Sequence, residues 1–366
     1  MSKRRRIMTL AKVAGVLGVL GMLYLILRGI GFREILDAMK RLRPETIWAA
    51  LALNLAVFLL WSFRLQLMIP RAERGSILRI FPIYMAGVFG NVVTPGARVG
   101  GEPIRAYYMA KAFGGPKTGH LGVLIADKLG NMSVYMVFLL VSVGFVAVFV
   151  PLPLGVKIAL EAAVALILGA VVSGVLLRKH IGVQSRLMAR LLRLLYDEPI
   201  VGFFRRRFRS YQHFEDYVIG KLENVFTPIG EAATNPKTLT KVVLISTGAW
   251  LIFYLAHYVL FEGLGAGVGF FAVLIIVSIA NFCGDIGFSP GGAGFMEVAM
   301  IGLCAAFGLE KETAAAVTLI SRGMFYVCGL GVGGLCFGVL ALIYGREKPA
   351  REPRPAPEAD PPGTKQ

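Results

Sequence analysis

Asn91-Val92-Val93-Thr94-Pro95-Gly96-Ala97-Arg98-Val99-Gly100-Gly101-Glu102 and Asp285-Ile286-Gly287-Phe288-Ser289-Pro290-Gly291-Gly292-Ala293-Gly294-Phe295-Met296-Glu297 interrupt a chain that is otherwise dominated by apolar runs. The two stretches resemble each other. In each, a glutamate follows the proline by seven residues (95 to 102, 290 to 297). A cation inside an apolar segment then follows the glutamate, by 26 residues (102 to 128) or by 25 (297 to 322). Charges in apolar surroundings are costly, so a carboxylate and a cation repeated in this way point to function. Glycine and proline beside them predict helices broken at membrane depth, which is how many transport sites are built.

The rest of the chain supplies the membrane. Of 366 residues, 56% are hydrophobic and only 17% charged, against about a quarter charged in soluble domains. Segments 7–27, 46–69, 119–150, 154–177, 239–261 and 313–343 reach the ~20 apolar residues a spanning helix needs. Their runs are continuous, without the period of two of a membrane β-barrel. Regions 77–114 and 267–309 are apolar but broken at the two motifs. The arms 77–93 and 102–114 are short for spanning at about 1.5 Å per residue. The expected fold is therefore all-α and polytopic, with about six full spans and two re-entrant helical hairpins. Lys3-Arg4-Arg5-Arg6 followed by Ile7 to Leu27 is too long for a signal core. It has no small-residue cleavage site before Arg28, so it reads as a retained first span.

Basic residues set the orientation. The N-terminus, the 64–79 loop (Arg64, Arg71, Arg74, Arg79), the 178–241 loop with its twelve lysines and arginines, and the tail beginning Arg346 are expected on the cytoplasmic side of the cell membrane. Links 151–153 and 262–266 carry no basic residue and belong outside. Segment 28–43 disagrees by charge, but Ile30, Ile35, Leu36, Met39 and Leu42 are spaced as in an amphipathic helix on the outer surface. With both termini inside, the first broken region must return to the cytoplasmic face and the second must enter from outside. That is an inverted-topology repeat, with the binding site where the halves meet. The expected organisation is a membrane domain over 1–345, with a first half of about 46–177 and a second of about 239–343. A cytoplasmic basic loop, 178–238, joins them, and a proline-rich disordered tail covers 346–366.

The first constellation is Asn91, Thr94, Arg98, Glu102, Arg105, Asp127 and Lys128. The second is Asn281, Asp285, Ser289, Glu297 and Arg322. Pro95, Gly96, Gly100, Gly101, Pro290, Gly291, Gly292 and Gly294 form their backbone frames. Free amides at a helix start would suit a phosphate or carboxylate, and arginines would add charge-assisted contacts. Two readings stand side by side: a substrate site, or charges that only neutralise one another. The glycine-rich run after Pro290 lacks the lysine and Ser/Thr of a nucleotide-binding loop. His120, His180, His213 and His257 are scattered, without metal-ligand spacing. Cys283, Cys304, Cys328 and Cys336 lie in apolar segments and read as packing residues. Gly329, Gly331, Gly333, Gly334 and Gly338 read as helix-packing positions. No metal or cofactor is expected. The net charge of +17 flanks the spans, which favours lipid headgroups over nucleic acid.

Asn91…Pro95…Gly101-Glu102…Arg105, then Asp127-Lys128, and later Ser289-Pro290-Gly291-Gly292-Ala293-Gly294…Glu297…Arg322 resemble the lysylphosphatidylglycerol synthase transmembrane region, also called the flippase-like or UPF0104 membrane family. The resemblance covers about residues 5–345. This chain has Asp127-Lys128 where the first half of the family often has Glu-Arg, so the charges persist but a bidentate arginine is lost. Bifunctional members join this region to a soluble domain that transfers lysine to phosphatidylglycerol. No such domain is present in these 366 residues, so the resemblance implies lipid movement without ATP rather than lipid synthesis. The expected partners are membrane lipids with anionic headgroups, with a second copy or a protein partner at the 178–238 loop. A membrane-embedded headgroup transferase and a non-catalytic recruiting subunit remain as alternatives.

Overall fold

The computed structural model of the protein describes residues 37, 39–40, 42–69, 74–94, 100–150, 155, 158, 162, 165, 169, 211–286, 289 and 292–345. Among these residues there are helices and no strands. They are α1 (Pro44–Met68), α2 (Ile77–Val93), α3 (Gly101–Phe113), α4 (Lys117–Phe149), α5 (Tyr211–Thr234), α6 (Pro236–Gly263), α7 (Phe270–Ile286), α8 (Phe295–Ala306) and α9 (Lys311–Tyr344). Helix α9 passes through a π-helical turn at Val327–Val332. Local chemistry sets several starts. Pro44 and Pro236 open α1 and α6, where a missing N–H costs nothing. Ser76 and Asn235 cap α2 and α6 with their side-chain oxygens.

Helices α1, α4, α6 and α9 are long and apolar enough to cross a membrane, at 25, 33, 28 and 34 residues. They match the expected spans 46–69, 119–150, 239–261 and 313–343. Expected span 7–27 lies outside the described residues. So do most of 154–177, most of the amphipathic segment 28–43, the basic stretch 178–210 and the tail 346–366. Leu59, Val137, Leu244, Leu255, Val339 and Leu342 are exposed on the outer faces of the long helices. A row of exposed apolar side chains on such helices suits lipid rather than water.

The four short helices form two hairpins, α2–α3 and α7–α8, each packed arm against arm. At about 1.5 Å per residue, their arms of 17, 13, 17 and 12 residues fall short of the ~30 Å hydrocarbon core.

Side-chain neighbours fix the direction of each helix. Gly263 at the end of α6 lies against Thr46 and Leu42 at the start of α1. Arg64 near the end of α1 reaches Ser246 in the first half of α6, at 3.3 Å. These two helices are therefore antiparallel. Helix α4 begins beside the end of α1, because Arg64 bonds Asp127. It finishes beside the start of α7, where Phe145 meets Phe271 at 5.4 Å between ring centroids. Hairpin α2–α3 therefore leaves and rejoins the bundle at the end where α1 finishes. Hairpin α7–α8 does so at the opposite end, where α6 finishes.

The halves repeat. Helices α1 to α4 have 25, 17, 13 and 33 residues, and α6 to α9 have 28, 17, 12 and 34. Contacts exchange with the halves: α1 packs on α6, α2 on the last part of α9, and α7 on α4. Even the aromatic pairs match. Phe58–Trp61 and Trp250–Phe253 both meet edge to face, at 5.7 Å and 5.4 Å. The inverted-repeat fold expected from loop charge is therefore present in the helix directions themselves.

Three details differ from expectation. Arg64, counted from sequence with the 64–79 loop, lies inside α1 and is 2% exposed, because Asp127 gives it a buried partner. Residues 211–234 of the expected basic loop form helix α5, which lies on α4 so closely that Gly122 touches the Val225 backbone. Val218, Leu222 and Val225, spaced four and three apart, give α5 its apolar stripe. Of the α9 glycines, Gly329 and Gly333 pack against α2, through Val92 and Val88 and through Met85 and Phe89. Gly331 and Gly338 have open space beside them instead.

Candidate functional site

Among the described residues, two buried apolar clusters form, one around each hairpin. The first holds Ile83, Met85, Ala106 and Met109, and the second holds Val277, Ala280, Met296 and Met300. Helices α4 and α9 each run from one cluster into the other. In α4 the change falls between Leu124 and Val134, and in α9 between Met324 and Cys328. Asp127 and Lys128 lie within the first interval, and Arg322 lies just before the second. Asp127 and Lys128 therefore stand at the changeover, whereas Arg322, between Ile320 and Met324, stands inside the second cluster.

Both motif glutamates occupy the first turn of a hairpin's second arm, Glu102 in α3 and Glu297 in α8. A carboxylate there is favoured by the helix dipole. The sequence spacing becomes contact in both cases. Lys128 Nζ donates to Glu102 Oε1 at 3.2 Å, and Arg322 Nε donates to Glu297 Oε1 at 2.6 Å. Around Glu297 the structure is tight. Gly294 N–H donates to Oε2 at 2.6 Å, and both side chains of the ion pair are about 95% buried. Tyr326 Oη accepts from Arg322 Nη2, and the Phe325 and Tyr326 rings lie about 5 Å from the guanidinium.

The first site is looser. Arg105 Nη1 stands 3.9 Å from Glu102 Oε1, and its guanidinium lies over the Tyr84 ring at 3.9 Å. Arg105 Nε donates to the Tyr84 carbonyl. Lys128 is 38% exposed along its side chain, and Glu102 is 11% exposed.

Glycines let the hairpin arms meet. A Cβ on Gly101 would strike the Gly87 carbonyl, and a Cβ on Gly292 would strike the Gly284 carbonyl. Gly292 also sits at φ +74°, where side chains other than hydrogen are strained. Asn91 Oδ1 accepts from Gly101 N–H at 2.7 Å and ties the end of α2 to the start of α3.

Other predicted site residues take local roles. Thr94 Oγ1 donates to the Gly90 carbonyl, and Ser289 Oγ donates to the Ala293 carbonyl. Asn281 Nδ2 reaches Asp285 Oδ2 at 3.5 Å. Arg98, Pro95, Gly96, Pro290 and Gly291 lie outside the described residues. Asp127 does not join Lys128 at Glu102. Adjacent helical residues point about 100° apart, and Asp127 accepts from Arg64 Nε and Nη2 at 2.7 and 2.9 Å. Arg64 also donates to Asn131 and Ser246, which locks α1, α4 and α6 together. Sequence reasoning placed Arg64 by its charge alone. The available signal was its position, four residues before the end of an apolar helix.

His257 Nδ1 donates to the Phe253 carbonyl one turn earlier, at 2.9 Å, and the ring packs on the Phe253 ring, as a buried packing residue does. Among the described residues, no three His, Cys, Asp or Glu side chains converge as a metal site.

Residues 12–333 match the family described as the lysylphosphatidylglycerol synthase TM region. Curated relatives carry the name UPF0104 membrane protein. One from Methanothermobacter thermautotrophicus is 24% identical over 322 residues, covering 87% of this chain and 88% of its own. One from Pyrococcus horikoshii is 22% identical, covering 83% and 90%. One from Methanocaldococcus jannaschii is 25% identical, covering 81% and 85%.

Proposed function

The chain belongs to the lysylphosphatidylglycerol synthase transmembrane-region family, and we propose that it moves a phospholipid or lipid-linked molecule across the cell membrane without ATP. One observation carries this reading: two acid–cation pairs, the part-buried Glu102–Lys128 and the buried Glu297–Arg322, held by hairpins that open toward opposite ends of the bundle. Ionisable groups kept inside a membrane mark substrate paths, and inverted hairpins suit a site reached alternately from each face.

In this mechanism the headgroup leaves the interface and enters between the hairpins, while the acyl chains stay in lipid. Arg105 and Lys128 take the phosphate on the first side, and Arg322 takes it on the second. Helices α4 and α9 couple the two sides. Each carries the cation for one hairpin and packs on the first arm of the other. A shift of one long helix therefore alters both sites at once. The protein acts as a carrier and not as an enzyme, and its partners are lipids with anionic headgroups. Both termini face the cytoplasm, since the basic residues gather on that side.

Reconstitution tests the reading. Liposomes containing the purified chain should pass fluorescent-tailed phospholipid between leaflets faster than empty liposomes. The combined change Glu102→Gln and Glu297→Gln should abolish the difference. Unchanged movement in that variant would remove the two glutamates from the mechanism. Cysteines placed at positions 97 and 293 should be labelled from opposite faces.

A further inference from the structure

The two motif glutamates differ at one oxygen. Glu297 has both oxygens engaged, Oε1 by Arg322 and Oε2 by Gly294 N–H. Glu102 uses Oε1 for Lys128, while its Oε2 is buried without a hydrogen-bond partner among the described residues. Glu102 as a whole is 8% exposed. Buried polar atoms are nearly always satisfied, so an orphaned carboxylate oxygen calls for a specific donor. The first site also carries a second cation: Arg105 Nη1 stands 3.9 Å from the Glu102 oxygen that Lys128 bonds. In the second site Arg322 Nε bonds Glu297 directly, at 2.6 Å.

A ligand that satisfies both features has one anionic group for the Arg105 and Lys128 cations and one hydrogen-bond donor beside it for Oε2. Resting on the translocation reading, we infer that the first site selects phospholipids whose headgroup bears an N–H or O–H next to the phosphate. The phosphate meets Arg105 and Lys128, and the donor meets Glu102 Oε2. Ethanolamine and glycerol headgroups meet this requirement. Choline does not, because its nitrogen carries three methyl groups and no hydrogen. Its charge equals that of protonated ethanolamine, so charge alone would not separate them. The second site, with no open acceptor on its glutamate, binds without reading the headgroup.

The test is a headgroup series on the purified full chain in liposomes. Tail-labelled phospholipids with identical acyl chains carry glycerol, ethanolamine, monomethyl-, dimethyl- and trimethyl-ethanolamine. A single remaining N–H suffices for the bond, so rates should hold through the dimethyl headgroup. They should then fall about ten-fold or more at choline, the scale of one charge-assisted hydrogen bond. In Glu102→Gln the step should shrink, and in Glu297→Gln it should persist on a lower overall rate. Equal rates across the series would overturn this inference and leave translocation standing. A step that persists in folded Glu102→Gln would overturn the assignment to Glu102. No movement of any headgroup would overturn the translocation reading and this inference with it. The series on the unmodified chain decides the headgroup requirement even where a variant fails to fold.

Discussion

The two hairpins share a plan but not a finish. Around Glu297 every acceptor is filled and the ion pair is about 95% buried. Around Glu102 one oxygen is open, Arg105 stands off at 3.9 Å and Lys128 is partly exposed. The element lengths and arm contacts of the two are nearly the same, so architecture does not cause the difference. It arises from the donors at each glutamate. The Gly294 N–H fills Glu297 Oε2 and Arg322 Nε holds Oε1 at 2.6 Å, whereas at Glu102 a flexible lysine reaches Oε1 at 3.2 Å and Oε2 has no such backbone donor. The second hairpin therefore holds its ion pair tightly, and the first keeps an acceptor open.

That contrast can be broken by substitution, and the largest effect belongs to the tight site. Arg322→Ala strands a buried carboxylate and should destabilise the protein by roughly 3–5 kcal/mol, read as a fall in the unfolding midpoint in detergent. Arg64→Leu should cost a comparable roughly 3–5 kcal/mol by stranding Asp127. Adding Asp127→Leu should recover a large part of it, and a cycle without such recovery would show that the pair does not act as a unit.

Backbone contacts come next. Gly292→Ala should cost more than Gly101→Ala, both within about 1–3 kcal/mol for overpacking, because only Gly292 adds strain from a positive φ. Equal losses would mean that the collision alone governs both turns. The smallest stability effect is expected at the loose site. Glu102→Gln should change the stability by about 1 kcal/mol or less, since its lysine partner retains access to solvent, yet it should reduce lipid movement more than that change explains. A stability loss matching that of Arg322→Ala would erase the proposed contrast between the tight and the loose site.

Much of this plan is legible in the sequence because membranes impose strict rules. Continuous apolar runs mark α1, α4, α6 and α9, since unpaired backbone is not tolerated in lipid. Pro95 and Pro290, with their flanking glycines, mark the breaks. The Glu-to-cation spacing foretells both ion pairs, because the helices between them bring residues 25 or 26 apart to one depth. Helix α5 is less legible: its apolar stripe is present, but the twelve basic residues of the region dominate the reading. Arg64 is misread for a related reason. A cation near a helix end usually reaches water, and only a partner 63 residues away makes burial tolerable.

By itself, then, the sequence determined the class, the breaks, the paired charges and the repeat, all of which follow from local periodicity and the cost of charge in lipid. Only the tertiary structure decided which oxygen of which glutamate is left open, that Asp127 serves Arg64 rather than Lys128, and that each long helix joins both cores. Those outcomes depend on how side chains far apart in the chain meet within a few ångströms, and no local rule carries that information.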